Sequence, residues 1–302
     1  MRNKYVNEPA LPRYFRLRSL DLDSSDAMVA QALFAFYQFW HGTLHLRGAG
    51  RLLTLAAQHN RSLQKFRLVI PAIGETTFDF RDSSSFYWVN YLLGDRLEEE
   101  GMNLVMRRYL KPASTFWDVG ANVGLISGLV LTGYPDVKIV SIEPNPLLAS
   151  RLKVLFSSHK RVTVLERGLS DIDGENSLFV PEGASLCGRF GSGVREQGKL
   201  VPVPVSRGDS LLEEFPTLTP PALIKIDVEG HEPAVFRGLT RIVNDYRPII
   251  IFEHQYLSDE VIEGLIPRGY EKSSIHDETG ELLPGVQRRY SHNMLLLPAQ
   301  KP

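Results

Sequence analysis

The stretch TFWDVGANVG, Thr115–Gly124, decides the fold. An apolar run enters Asp118, and two glycines, Gly120 and Gly124, then bracket Ala121, Asn122 and Val123. This is the pattern of a buried strand that ends in a tight turn and opens a helix, here LISGLVLTG. Such a helix presents unpaired N–H groups at its start and can floor a nucleotide site. A dinucleotide turn would read G-x-G-x-x-G and seat a pyrophosphate. In this chain the middle glycine is missing and the spacing differs. An acid directly ahead of the turn also repels phosphate, whereas it suits a ligand that carries an ammonium group.

From Ser114 onward the same rhythm repeats. The runs VKIVSIEP, RVTVLER, ALIKIDV and PIIIFEH read as strands, separated by LLASRLKVLFSS, by HEPAVFRGLTRIVNDY as one helix, and by a helix from Ser258. Several of these strands lack polar alternation, which implies burial on both faces. HNMLLLP closes the series. Alternating β and α units predict a parallel sheet between two helix layers, with the ligand at the carboxyl ends of the strands. One segment breaks the rhythm. NSLFV and LVPVPV read as a hairpin-like pair of edge strands flanking a glycine-rich loop, PEGASLCGRFGSGVREQG, either a surface loop or a lid over the substrate pocket. Upstream, helical spacing recurs around Val29, Leu33, Phe36 and Trp40, through Arg51–His59, through SSFYWVNYLLG and through LEEEGMNLVMRRYL. RLVIP and TTFDF read as strands joined by a turn containing Gly74. The predicted division is a mainly helical extension over 1–95 and a catalytic domain over 96–302.

Glu143, in SIEPNP, lies about twenty residues beyond the glycine turn, the spacing of an acid that hydrogen-bonds ribose hydroxyls. A carboxylate there accepts from a vicinal diol and rejects a ribose phosphate. Ribose plus ammonium without pyrophosphate describes S-adenosylmethionine. In ERGLSD, the backbone of Gly168 and Leu169 is expected at the adenine edge, with Ser170 or Asp171 near the exocyclic amine. LIKIDVEGHE then places Asp227, Glu229, His231 and Glu232 at a strand exit, and Glu253 and His254 follow at a nearby one. Such a concentration of titratable groups suits proton removal from an acceptor hydroxyl, or oxygen ligation of a divalent cation. Glu232 reads as a first-turn residue favoured by the helix dipole. Lys225 stands inside an apolar strand, where an unpaired charge is costly, and is expected to pair with a carboxylate.

Together, DVGANVG, IEPNP, GLSDIDG and IKIDVEGHEPAVFRG resemble the FkbM family of S-adenosylmethionine-dependent methyltransferases over roughly Leu97–Pro298. The resemblance implies a class I methyltransferase fold, Rossmann-like α/β with a seven-stranded sheet whose last strand is antiparallel. It implies O-methylation of hydroxyls on sugars or natural products. It carries Asp118, Gly120, Asn122, Val123, Gly124 and Glu143 over as cofactor residues, and Asp227, Glu229 and His231 as residues facing the reaction centre. Asp227 would also touch the cofactor, and His254 joins the catalytic candidates. The competing readings are an NAD-dependent oxidoreductase and a methyltransferase-like binding module without activity.

Bulk properties bound the rest. The 302 residues allow one catalytic domain and a smaller companion. A net charge of -1 gives no basic footprint for nucleic acid. Cys187 is the single cysteine, so neither an intrachain disulfide nor a cysteine cluster can form. No resident metal is predicted. The N-terminal stretch lacks a long apolar core, and AMVAQALFAFYQFW is too short to span a bilayer. These features predict a soluble cytoplasmic enzyme with no membrane partner, acting on a small-molecule hydroxyl acceptor. The aromatic run FAFYQFWHGTLHL is read as a helix packed on the domain or on a partner subunit, which would make a homo-oligomer.

Overall fold

A computed structural model describes residues 100–181, 188–190 and 197–299, together with Phe36 and the backbone of two upstream strands. The chain divides into two units, one of Met1–Arg81 and Ser85–Asp95, the other of Asp82–Ser84 and Arg96–Pro302. In the first unit, β1 (Phe66–Ile70) and β2 (Gly74–Phe78) pair antiparallel, with Phe66 opposite Phe78 and Ile70 opposite Gly74. Gly74 therefore begins a strand, paired with Ile70, where a turn position was expected. The helices predicted over 24–40, 51–59 and 84–94 lie outside the described residues.

The second unit opens with α1 (Glu100–Tyr109) and β3 (Thr115–Val119). It continues through α2 (Leu125–Gly133), β4 (Lys138–Ile142), α3 (Pro146–Leu155) and β5 (Val162–Leu165). Next come β6 (Gly168–Leu169), β7 (Gly174–Pro181), β8 (Arg189–Phe190), β9 (Gly198–Ser206) and α4 (Gly208–Glu214). The chain then forms β10 (Leu223–Ile226), α5 (Glu232–Gly238), α6 (Thr240–Tyr246), β11 (Ile249–Glu253) and α7 (Asp259–Leu265). It ends with β12 (Tyr270–Ile275), β13 (Leu282–Leu283) and β14 (Asn293–Pro298).

The main sheet has eight strands in the order β13-β12-β14-β11-β10-β3-β4-β5. The five strands β5, β4, β3, β10 and β11 run parallel, and β14 enters antiparallel between β11 and β12. The seven strands implied by the resemblance are present, although β12 was not among the runs read as strands, because YEKSSI is mostly polar. The eighth is the short β13, which pairs with the outer end of β12 and carries too little apolar pattern to be read as a strand. Every residue of β3 and β10 is buried, as expected for strands sandwiched between helix layers. From β3 the chain runs outward to β4 and β5, then returns to β10 on the other side of β3. That reversal opens a crevice at the carboxyl ends of β3 and β10.

Local chemistry fixes the helices. The Asn145 side chain accepts from the Leu147 amide and caps α3, with Pro146 in its first turn. Ser258 caps α7 in the same way. The predicted helix over 231–246 is two helices, broken at Leu239. Gly238 explains the tight packing there: a Cβ on it would lie 1.9 Å from the Ser170 carbonyl oxygen. The segment that interrupts the rhythm forms its own sheet, ordered β6-β9-β7-β8. β7 and β9 pair antiparallel as a long hairpin, and β8, from inside the glycine-rich loop, adds to the β7 edge. The remainder of that loop, 182–187 and 191–196, lies outside the described residues.

Candidate active site

The glycine turn follows β3 with positive φ at Gly120 (80°), Asn122 (54°) and Gly124 (83°). Gly120 has no room for a side chain, since a Cβ would stand 1.8 Å from the Asp227 carbonyl oxygen. At Gly124 the same atom would meet Leu152 of α3 at 2.5 Å. Gly120 is therefore required by backbone packing against Asp227, and Gly124 by its positive φ. Ala121 and Gly120 donate to the Ile142 carbonyl, which ties the turn to the end of β4. Val123 is partly exposed in the turn.

Glu143 completes that tie. It is 5% exposed, and its two carboxylate oxygens accept from the Asn122 and Asn145 amides, each at 2.8 Å. Burial is the main influence on this group and pushes it up to about 7, against the two amide hydrogen bonds that favour the charge. An ionised carboxylate has about four acceptor sites. Two remain on Glu143 for the hydroxyls of a diol.

Asp118 is fully buried within the sheet. Register places it between Ser141 of β4 and Lys225 of β10, so three polar residues form one row across apolar strands. Its Oδ2 accepts from the Ser127 hydroxyl at 2.6 Å, and that hydroxyl also lies 2.7 Å from Ser141. Its Oδ1 has no hydrogen-bond partner and faces the Lys225 ammonium at 3.9 Å. Desolvation raises its pKa, with Lys225 opposing. The expected carboxylate partner of Lys225 is thus found twice, because Lys225 also donates to Asp227 Oδ2 at 2.9 Å. Asp118 lies two residues ahead of the turn, with its Oδ1 free of hydrogen bonds and turned to the Lys225 ammonium.

Beyond β10 the acids converge. Asp227 meets Lys225 and also hydrogen-bonds with the Glu253 carboxyl at the end of β11. Burial, with Asp227 beside it, holds Glu253 well above the usual carboxylate range, so it keeps a proton to share with Asp227. Glu229 has a positive φ of 54° and is pushed up by desolvation and then by Asp227, while the Tyr256 hydroxyl donates to it. Glu232 is buried and accepts from the Val228 and Gly230 amides at 3.1 and 3.3 Å. Its carboxylate pins the loop, a more specific role than the helix-dipole one read from sequence.

His231 lies next to this group. Its Nε2 is 3.0 Å from the Ser170 hydroxyl, and its ring meets the Phe190 ring of β8 at 4.7 Å between centroids. Desolvation lowers its pKa, with Asp171 opposing, so the imidazole is neutral at pH 7. Ser170 thereby changes role. Its hydroxyl serves His231, its amide donates to the Ser206 carbonyl, and Gly168 and Leu169 form strand β6 against β9. The structure thus brings these residues to the second sheet and to His231.

His254 is placed apart from that group. It is 1% exposed, with both ring nitrogens lacking hydrogen-bond partners. Burial and then Arg288 keep it neutral, and the strongest charges on it come from Arg288, His292 and Asp277. Its neighbourhood belongs to the β12–β14 side of the sheet, so Glu253, and not His254, is the β11 residue that reaches the acids. Sequence reasoning missed Ser127, Ser141, Phe190 and Tyr256. Ser141 interrupts an apolar strand as Lys225 does, and that was a readable signal. Phe190 and Tyr256 depend on contacts between segments far apart in the chain. Among the described residues, no group of three or more His, Cys, Asp and Glu side chains is placed to hold a metal, and no helix is long and apolar enough to cross a membrane.

A doubly wound sheet whose last strand inserts antiparallel between β11 and β12, a glycine turn after its central strand and acids at neighbouring strand ends is the architecture of a class I methyltransferase domain. The chain belongs to the FkbM methyltransferase family, whose domain model matches residues 118–281. It is 31% identical over 156 residues to the hexuronic acid methyltransferase AglP of Haloferax volcanii, covering 50% of this chain and 61% of that protein. It is 29% identical over 198 residues to methyltransferase sdnD of Sordaria araneosa, covering 55% of this chain and 70% of that protein. Among solved structures, the FkbM methyltransferase of Methylobacillus flagellatus KT aligns with TM-score 0.42 and 14% identity, over 71% of this chain and 54% of that one.

Proposed function

We propose that the protein is an S-adenosylmethionine-dependent O-methyltransferase acting on a hydroxyl of a sugar or sugar-bearing natural product. The observation that carries this reading is the juxtaposition of two carboxylate sites across the β3–β10 crevice. On one side, Glu143 is locked to the turn with acceptor capacity left for a ribose diol. On the other, Glu229 and a neutral His231 stand at the exit of β10. The residues fit the cofactor: Glu143 would hold the ribose, and the orphaned Asp118 oxygen and Asp227 would face the ammonium end. When bound, that cofactor supplies an electrophilic methyl group on a sulfonium. The name of the archaeal relative supports a sugar as the bearer of the acceptor group.

The protein's own part is positioning and proton removal. Glu229 takes the proton of the acceptor hydroxyl at its carboxylate, because burial and the Asp227 charge make it a stronger base than an ordinary glutamate. His231 is fixed through Ser170 and shielded by Phe190, and orients the acceptor as a neutral ring. Calorimetry with S-adenosylhomocysteine and transfer of labelled methyl to hydroxylated glycosides test the reading on wild type and Glu229→Gln. Both proteins should bind the product cofactor, and only wild type should transfer. No binding by wild type at millimolar ligand defeats the cofactor assignment, and undiminished transfer by the variant defeats the base assignment.

A further inference from the structure

The acid cluster has an exposed aromatic neighbour that the chemistry above does not use. Tyr256, just beyond β11, is 59% exposed, although its hydroxyl donates to the half-buried Glu229 carboxylate. A solvent-facing tyrosine on a loop ordinarily samples several rotamers. This one is anchored at its tip by Glu229. Gly230, with φ of 95°, brings the loop after β10 close beneath it, since a Cβ there would lie 3.7 Å from the Tyr256 Cβ. The ring therefore stands beside the base with one end tied and much of its surface in water.

We propose that Tyr256 is an acceptor-binding residue, whose ring stacks on the apolar C–H face of a pyranose while its hydroxyl holds Glu229 in place for that sugar's hydroxyl. The inference rests on the sugar-acceptor reading. Two features besides the tyrosine lead to it. Asp227, Glu229 and Glu253 form a cluster rich in acceptor oxygens, which suits the hydroxyl edge of a polyol. Phe190 covers His231 with a second aromatic ring, so both groups proposed to handle the acceptor carry an aromatic neighbour. A pyranose has both surfaces, hydroxyls at its rim and an apolar patch of C–H bonds. An aromatic side chain offers large contact area with only two torsions to freeze, which makes it an efficient platform. As the acceptor arrives, its hydroxyl takes an acceptor position on the Glu229 carboxylate, which has room for both donors. Tyr256 then keeps the carboxylate oriented while the proton is transferred to it.

Saturation-transfer NMR on the full chain with S-adenosylhomocysteine present tests this, using methyl glucoside and methyl glucuronide at millimolar concentration as probes. In wild type, saturation should reach the C–H protons of one ring face in at least one probe. Tyr256→Ala should weaken that probe roughly tenfold, the scale of one lost aromatic contact. Tyr256→Phe keeps the ring and should keep the contact, while kcat for methyl transfer to the same probe falls and KM stays within twofold. Saturation that persists unchanged in Tyr256→Ala overturns the proposal, and so does the absence of saturation from both probes in wild type. Calorimetry of S-adenosylhomocysteine on the same samples separates the two readings. Intact binding with no sugar contact defeats the Tyr256 assignment alone, whereas lost binding in wild type defeats the methyltransferase reading beneath it.

Discussion

Replacing Glu143 by glutamine should separate stability from cofactor binding. In the fold the carboxyl titrates near 7, against 4.5 in the unfolded chain, with burial as the cause. A group whose pKa is raised on folding contributes stability below its unfolded value and loses it as pH rises through the folded one. Between pH 4.5 and 8 ionisation of Glu143 therefore withdraws ~3 kcal/mol. Glutamine is spared that loss because it never ionises. It has one acceptor oxygen, so only one of the amides of Asn122 and Asn145, both now bonded at 2.8 Å, keeps its partner. Leaving the other unsatisfied costs about 1–3 kcal/mol. The net at pH 8 lies between no change and a gain of ~2 kcal/mol, and the advantage vanishes by pH 4.5, where wild type is protonated. Affinity for S-adenosylhomocysteine should nonetheless fall roughly tenfold or more, since charge-assisted hydrogen bonds to the diol are lost. Urea melts at both pH values and calorimetry at pH 8 read the two effects. A variant clearly less stable than wild type at pH 8 would show that the amide bonds outweigh desolvation. Unchanged affinity would remove Glu143 from the ribose site.

Gly120→Ala should prevent stable folding or cost more than ~4 kcal/mol, because its Cβ would overlap the Asp227 carbonyl at 1.8 Å and its φ is 80°; circular dichroism melts test it, and a native-like melt refutes the packing argument. Lys225→Met leaves Asp118 and Asp227 without their shared cation and should destabilise by about 3–5 kcal/mol in urea titration. Ser127→Ala removes the donor to Asp118 and should cost about 1–3 kcal/mol by the same measurement. His231 titrates below its ordinary 6.5, so the stability it contributes is complete above pH 6.5 and is lost as pH falls through the lower folded value. Phe190→Ala, which admits water to the ring, should move the His231 titration back toward 6.5, read from the pH dependence of its ring-proton NMR signals, and an unchanged midpoint would refute the shielding role.

Local chemistry made much of the fold legible. The mainly apolar runs of β3, β10 and β11, which lack polar alternation, announce strands buried on both faces, and the Asn145 and Ser258 caps mark helix starts. The break between α5 and α6 was not readable, since it answers the Ser170 backbone, a segment far upstream. β13 was equally silent, being two residues that pair only because β12 is already placed. The site followed the same division. Glu143, Asp227 and Glu229 stand out because apolar strand exits do not need acids. Nothing local tells that Ser170 serves His231, that Glu253 reaches Asp227 while His254 does not, or that Tyr256 meets Glu229.

By itself the sequence determined where the strands end and which residue types stand there, because apolar periodicity and turn chemistry act within a few positions. The tertiary structure alone decided which of those ends meet. Strand order, set by the return of β10 to the far side of β3, brought Lys225 beside Asp118. The second sheet brought Phe190 onto His231. Burial then acted on what had been assembled, raising the carboxyls and lowering the imidazoles. Desolvation depends on everything packed around a group, so these protonation states are properties of the fold rather than of any motif.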